Sequence, residues 1–249
     1  MRDLQDYQTS YQQLPFENTQ IKFRKRKVLE TLKQYQAKSI LEIGCGLEPI
    51  FNDYHDFDFC AVIEPCEQFY ENASEQAAQK DNVKVVRGLL EENTETLSAH
   101  SYDLILLSCL LHEIPDATGL LSSIAKLCSE KTIVHINVPN AKSFHRLLAL
   151  EMGLIDSIYE KSDMQKKMQQ SHTFDLNQLE TLVTGLNFTV VEQGSFFIKP
   201  FTHAQMAQLQ EIGIANDLLL DGLYNLSKHF PEYGSEIFMN IQLKAHHEQ

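Results

Sequence analysis

Positive charge is scarce in this 249-residue chain: 21 Lys and Arg face 34 Asp and Glu, a formal net charge of −13. Grip on a phosphate backbone depends on Lys/Arg neutralisation, so no nucleic-acid partner is expected. Long apolar runs are missing too. The longest, near Leu104 to Leu111, falls far short of the roughly 20 residues that span a bilayer, so no membrane partner is expected. No apolar stretch stands behind Met1-Arg2-Asp3-Leu4-Gln5-Asp6 to act as an export signal, which makes the cytoplasm the expected location. The five cysteines, Cys45, Cys60, Cys66, Cys109 and Cys128, form no CxxC pair and are odd in number, as reduced thiols would be. Cys109-x-x-His112 offers only two ligands, so no metal site is expected. P-loop spacing, a Ser-His-acid set, internal repeats and a disordered composition are absent as well.

What the chain does have is apolar content, 43% of its residues, enough for one domain with a large core or for a domain plus a cap. Residues 1 to about 20 are polar, with Tyr7, Tyr11 and Phe16 among glutamines, and read as an arm or lid. Ile21, Val28, Leu29, Leu32 and Tyr35 then recur at helical spacing. The basic run Lys22, Arg24, Lys25, Arg26 and Lys27 reads as the solvated face of that helix, with a local anion or carboxylate contact as the alternative. Short β-like runs follow at 39–43, 57–63, 83–86, 102–107 and 132–138, with helix-like stretches at 66–80 and 120–127. Strands separated by helices imply parallel crossovers and an open, doubly wound α/β sheet. Beyond Pro139 the pattern loosens: 143–185 is mainly helical, 188–191 a sixth strand, 204–226 helical, and 236–243 a last, alternating strand.

The first run ends in Gly44-Cys45-Gly46, where missing Cβ atoms let a ligand approach the backbone. Glu64 closes the second run 18 residues after Gly46, and a carboxylate there can accept from both hydroxyls of a ribose. A solvated strand-end charge is the alternative for Glu64. A dinucleotide turn wants a third small residue where Pro49 stands, and Glu48 would repel a pyrophosphate. Glu42 adds an acceptor for an ammonium group. The set suits a phosphate-free nucleoside joined to an amino acid better than a nicotinamide dinucleotide.

Leu41-Glu42-Ile43-Gly44-Cys45-Gly46 resembles the first motif of class I S-adenosylmethionine-dependent methyltransferases, and Val62-Ile63-Glu64-Pro65 their acidic second-strand motif. Arg87 to Glu92, Tyr102 to Ser108 with Leu111 to Asp116, and Val138-Pro139-Asn140 with Ser143 to Arg146 resemble later motifs of a bacterial small-molecule branch. The resemblance covers about residues 38 to 150. It implies a Rossmann-like, doubly wound seven-stranded sheet with an antiparallel last strand and a helical cap. It divides the chain into an arm (1–36), a core (37–141 and 186–249) and a cap (142–185 with 195–233). It implies S-adenosylmethionine as cofactor, with Gly44 and Gly46 under the methionine part. Glu42 would lie near its amino group, Glu64 and Pro65 at the ribose, Leu89 and Leu90 at the adenine, and the Ser108 carbonyl at the amino group. Arg24, Arg26 and Tyr11 are unranked candidates for its carboxylate. Two departures stand out: Glu48 replaces the family's usual third glycine, and Leu89 stands where relatives often carry an acid.

The implied reaction is methyl transfer to O or N of a small-molecule acceptor, where the protein supplies alignment and sometimes a base. His112, about one helical turn past Ser108, is the first candidate base, with helix capping as the alternative. His145 and His172 come second, His135 reads as a non-catalytic strand residue, and His246 and His247 as a disordered tail. Phe196, Phe197, Phe201, Tyr224 and Phe230 either line an acceptor pocket or pack the cap. A non-catalytic adenosylmethionine-binding subunit and a nicotinamide-dependent oxidoreductase stand as alternatives, and a homodimer is an open assembly.

Overall fold

The computed structural model describes residues 16–167 and 170–245. Its core is one seven-stranded sheet in the order β3-β2-β1-β4-β5-β7-β6. The strands are β1 (Ser39–Ile43), β2 (Phe59–Glu64), β3 (Val83–Arg87), β4 (Leu104–Ser108), β5 (Ile133–Pro139), β6 (Phe188–Phe196) and β7 (Glu236–Leu243). β1 to β5 are parallel, and β7 runs antiparallel to both β5 and β6. The chain therefore reverses its winding between β1 and β4, where α/β sheets open a crevice beyond the strand ends.

Helices flank the sheet: α1 (Glu17–Gln34), α2 (Glu67–Ala77), α3 (Leu90–Leu97), α4 (Ala117–Ala125), α5 (Phe144–Glu151), α6 (Asp163–Lys167), α7 (Leu176–Thr184), α8 (His203–Glu211) and α9 (Asp217–Leu226). Strand side chains alternate between two faces. Leu41, Ile43, Ile105, Leu107, Val134 and Ile136 meet Leu121 and Ile124 of α4 and Leu179 and Val183 of α7. Ile40, Cys60, Val62, Leu104 and Leu106 meet Val28 and Leu32 of α1 and Phe51 of a short 3₁₀ turn. A third cluster joins Phe16 and Phe23 to Phe196, Phe197, Met206, Leu220 and Tyr224, so α1 also docks against α8 and α9.

Several boundaries differ from the sequence reading. β6 continues past Val191 to Phe196, with a bulge between Val190 and Glu192. The 204–226 stretch is two helices, because Gly213 at φ +77° interrupts it and Thr202 and Asn216 cap the new starts. The basic run is not one solvated face. Arg24 is buried and paired with Glu236 and Glu17, because a 3.6-residue period turns it inward with Gln20, Val28 and Thr31. Among the described residues no helix is long and apolar enough to cross a membrane, and no cluster of three His, Cys, Asp or Glu is placed to hold a metal ion.

Candidate active site

The bend after β1 turns through two left-handed glycines, Gly44 at φ +73° and Gly46 at φ +58°. That region is open to glycine without the clash a Cβ makes. The Gly44 amide donates to the Ile63 carbonyl at 2.8 Å, which ties the bend to β2. A Cβ on Gly44 would press on Leu110 at 3.3 Å, whereas above Gly46 nothing lies within 4 Å of the Cβ position. The cradle is thus walled on one side and open on the other.

Glu64 closes it. One carboxylate oxygen accepts from the Gly46 amide at 3.2 Å and the other from the Cys66 amide at 2.9 Å. The Glu64 carbonyl accepts from the Gly88 amide at 3.1 Å, so the exits of β1, β2 and β3 meet here. Burial raises the Glu64 carboxyl above its usual range, against the lowering effect of those amides. Pro65 beside it is exposed, as is Leu89, while Leu90 is buried.

Glu42 lies deeper, on the α1 face of the sheet, and accepts from the Ile50 amide at 2.9 Å. Burial raises its carboxyl to about 8; the Ile50 hydrogen bond opposes this, and the neighbouring Glu64 charge adds to it. Lys25 lowers Glu42 less than burial raises it, so the two buried carboxyl groups make a place where an arriving ammonium is favoured. Glu48 does not enter the bend: with Asp53 it pairs with Lys25 of α1.

At the end of β4 the Ser108 hydroxyl meets Asn137, and Cys109 takes φ +56°. The Cys109 amide donates at 2.9 Å to both the side-chain and main-chain oxygens of Asn137. Asn137 is held by His135, which bonds Asn240 at 2.7 Å. Burial pushes His135 down to about 4, so it is a neutral structural link.

The methyltransferase domain family matches residues 16–193, more than half of the chain. The chain belongs to this methyltransferase family. No curated protein matches it in sequence. Among solved structures, the plantazolicin methyltransferase BpumL, in complex with a triazolic desmethylPZN analog and SAH, aligns over 92% of this chain and 88% of its own, with a TM-score of 0.59 and 20% identity. The plantazolicin methyltransferase BamL aligns over 96% and 94%, with a TM-score of 0.57 and 14% identity. An S-adenosylmethionine dependent methyltransferase from Mesorhizobium loti aligns over 83% and 90%, with a TM-score of 0.52 and 14% identity. At such identities the likeness is one of fold.

In this methyltransferase the expected histidines separate. His112 is buried, its Nε2 stands 3.8 Å from Glu113, and its carbonyl accepts from the Ser171 and His172 amides. His145 is half-buried on α5, and burial together with the charges of Lys199, His203 and Arg146 holds it well below its usual pKa. His172 stands at the rim, where its Nε2 meets the Pro115 carbonyl at 3.2 Å. Phe196, Phe197 and Tyr224 pack in the third core cluster, while Phe201 and Phe230 stay exposed. Arg26 pairs with Glu30 and Asp221 on the outer side. Tyr11, His246 and His247 lie outside the described residues. Sequence reasoning missed Glu17, Lys199, His203 and Glu236. The one local signal was a lysine closing the apolar run Phe196-Phe197-Ile198.

Proposed function

We propose that this methyltransferase carries a methyl group from S-adenosylmethionine to an oxygen or nitrogen of a small-molecule acceptor. The observation that supports this most is the Glu64 carboxylate bonded to the Gly46 amide, beside a bend that is open above Gly46. Plantazolicin methyltransferases of the same fold are held with SAH, which supports the cofactor.

On this reading Gly44 and Gly46 pass beneath the methionine part, and Glu42 and the Ser108 carbonyl attract its ammonium. Glu64 with Pro65 takes the ribose, and Leu89 and Leu90 frame the adenine. The cofactor supplies an activated methyl on a sulfonium. The protein aligns it and excludes water, which is worth on the order of 7 to 11 kcal/mol in favourable cases. His112 and His145 remain candidate bases for the acceptor. Residues 37–141 and 186–249 serve as core, 142–185 with 195–233 as cap, and 1–36 as arm.

Calorimetry with S-adenosylhomocysteine tests the reading. The parent protein binds it, and Gly44→Arg, which drives a long side chain into Leu110, abolishes binding. A parent protein that is folded yet binds neither S-adenosylhomocysteine nor S-adenosylmethionine overturns the reading.

A further inference from the structure

A buried set of ionisable groups lies between α1, the end of β6, α5 and α8. Lys199 is 2% exposed, and its Nζ meets Nδ1 of His203 at 2.9 Å. Nε2 of His203 stands 3.7 Å from the Glu17 carboxylate. Glu17 and Glu236 both pair with Arg24, at 3.4 and 2.7 Å. Two carboxylates thus stand among three basic side chains, Arg24, Lys199 and His203. His145 faces Lys199 and His203 from α5, and among the described residues its buried Nδ1 has no hydrogen-bond partner.

The set stands at the carboxyl end of the sheet. Glu236 begins β7 opposite Pro139 and Phe196, the last residues of β5 and β6. Cys109, next to Ser108, lies within electrostatic reach of Arg24, Glu236 and Glu17. An acceptor must meet the methyl group on this side of the fold.

Burial brings Lys199 down to about 7, with Glu17 and Glu236 opposing the fall. Burial and the Lys199 and Arg24 charges hold His203 at about 3, so its imidazole stays neutral. A neutral His203 that accepts from Lys199 at Nδ1 turns Nε2–H toward Glu17. The His203 imidazole then fixes the amine and leaves its lone pair free to take a proton, with the Glu17 carboxylate beside Nε2 but not hydrogen-bonded to it.

We infer that Lys199, in place of His112 or His145, is the proton acceptor of the methyl transfer, oriented by His203 with Glu17 beside it, and that the acceptor's reacting atom carries a titratable proton, as an ammonium or a phenol does. The acceptor atom bonds the methyl carbon, the carbon–sulfur electron pair stays on sulfur, and the acceptor's proton passes to Nζ. The inference rests on the methyltransferase reading above.

A protonated Lys199 repels a sulfonium and leaves a thioether unaffected. The test is therefore the affinity ratio of S-adenosylmethionine to S-adenosylhomocysteine, measured by calorimetry from pH 5.5 to 8.5. The two ligands share amino acid, ribose and adenine and differ in the sulfonium charge; Glu42, raised to about 8, also acts on that charge, so the Lys199 contribution is the part of the rise that Lys199→Met removes. Below neutrality Lys199 carries its charge and the ratio is low; above neutrality it rises by about three- to tenfold. In Lys199→Met the ratio starts high and rises less than in the parent, in Lys199→Arg it starts low and rises no more than in Lys199→Met, and in His112→Gln it rises as in the parent. A flat ratio in the parent, a rise undiminished in Lys199→Met, or a rise lost in His112→Gln overturns the assignment while S-adenosylhomocysteine binding still supports a methyltransferase. Absence of binding by both ligands overturns both.

Discussion

Replacing Glu42 with glutamine is expected to stabilise the ligand-free protein at neutral pH. The folded pKa of Glu42, about 8, lies above the 4.5 of an unperturbed glutamate. Its contribution to folding is therefore complete below pH 4.5 and is lost as the pH climbs through about 8. The loss amounts to about 1.4 kcal/mol per pH unit in that window, or about 3 kcal/mol by pH 7. The substituted glutamine would still offer a carbonyl to the Ile50 amide, but its buried amide donors take back about 1–2 kcal/mol. The net gain at pH 7 is about 1–2 kcal/mol, a rise of roughly 2–8 °C in Tm for a domain of this size. At pH 4.5 the sign reverses, because both side chains are then neutral and only the glutamine carries surplus donors. Scanning calorimetry of Glu42→Gln and parent at pH 4.5, 6, 7 and 8 reads this crossover. An offset in Tm that does not change with pH would refute the argument from burial.

Glu64→Ala removes the acceptor of the Gly46 and Cys66 amides and is expected to weaken S-adenosylhomocysteine binding by about 10- to 100-fold, measured by calorimetry. Arg24→Met leaves Glu236, 2% exposed, without its paired cation and lowers stability by about 3–5 kcal/mol. Adding Glu236→Gln to that variant recovers most of the loss in denaturant titrations. Gly234→Ala forces a methyl group against the backbone of Phe196 and destabilises by about 1–3 kcal/mol, with cofactor affinity unchanged once the protein is folded.

The cradle is legible in the sequence because its determinants are local. An apolar run must end in a turn that only Gly44 and Gly46 can make, and Glu64 follows directly on a second apolar run. The sequence pattern ends β6 at Val191 because the strand pairs on one side only, with β7, and leaves Thr189 and Gln193 exposed. Those polar residues break the apolar run that marks a buried strand, although the strand continues to Phe196. The break at Gly213 can be found from the caps, since Thr202 and Gln205 form a capping box and Asn216 accepts from Leu219. Lys199 is beyond sequence reasoning because its burial comes from α1, whose Glu17 lies far away along the chain. The acceptor side is assembled from distant segments, and no periodicity reports which of them meet.

α1 is fastened at several points along its length. Lys25 reaches Glu48 and Asp53 behind the glycine bend, while Arg24 and Gln20 hold Glu236 at the start of β7. Further along, Arg26 reaches Asp221 and Glu30 accepts from the Tyr224 hydroxyl, both on α9. One rigid strut therefore spans the nucleoside side and the acceptor side of the molecule. Displacing it at one end strains its moorings at the other, so the two compartments are expected to fill cooperatively, each raising the affinity of the other by the same factor.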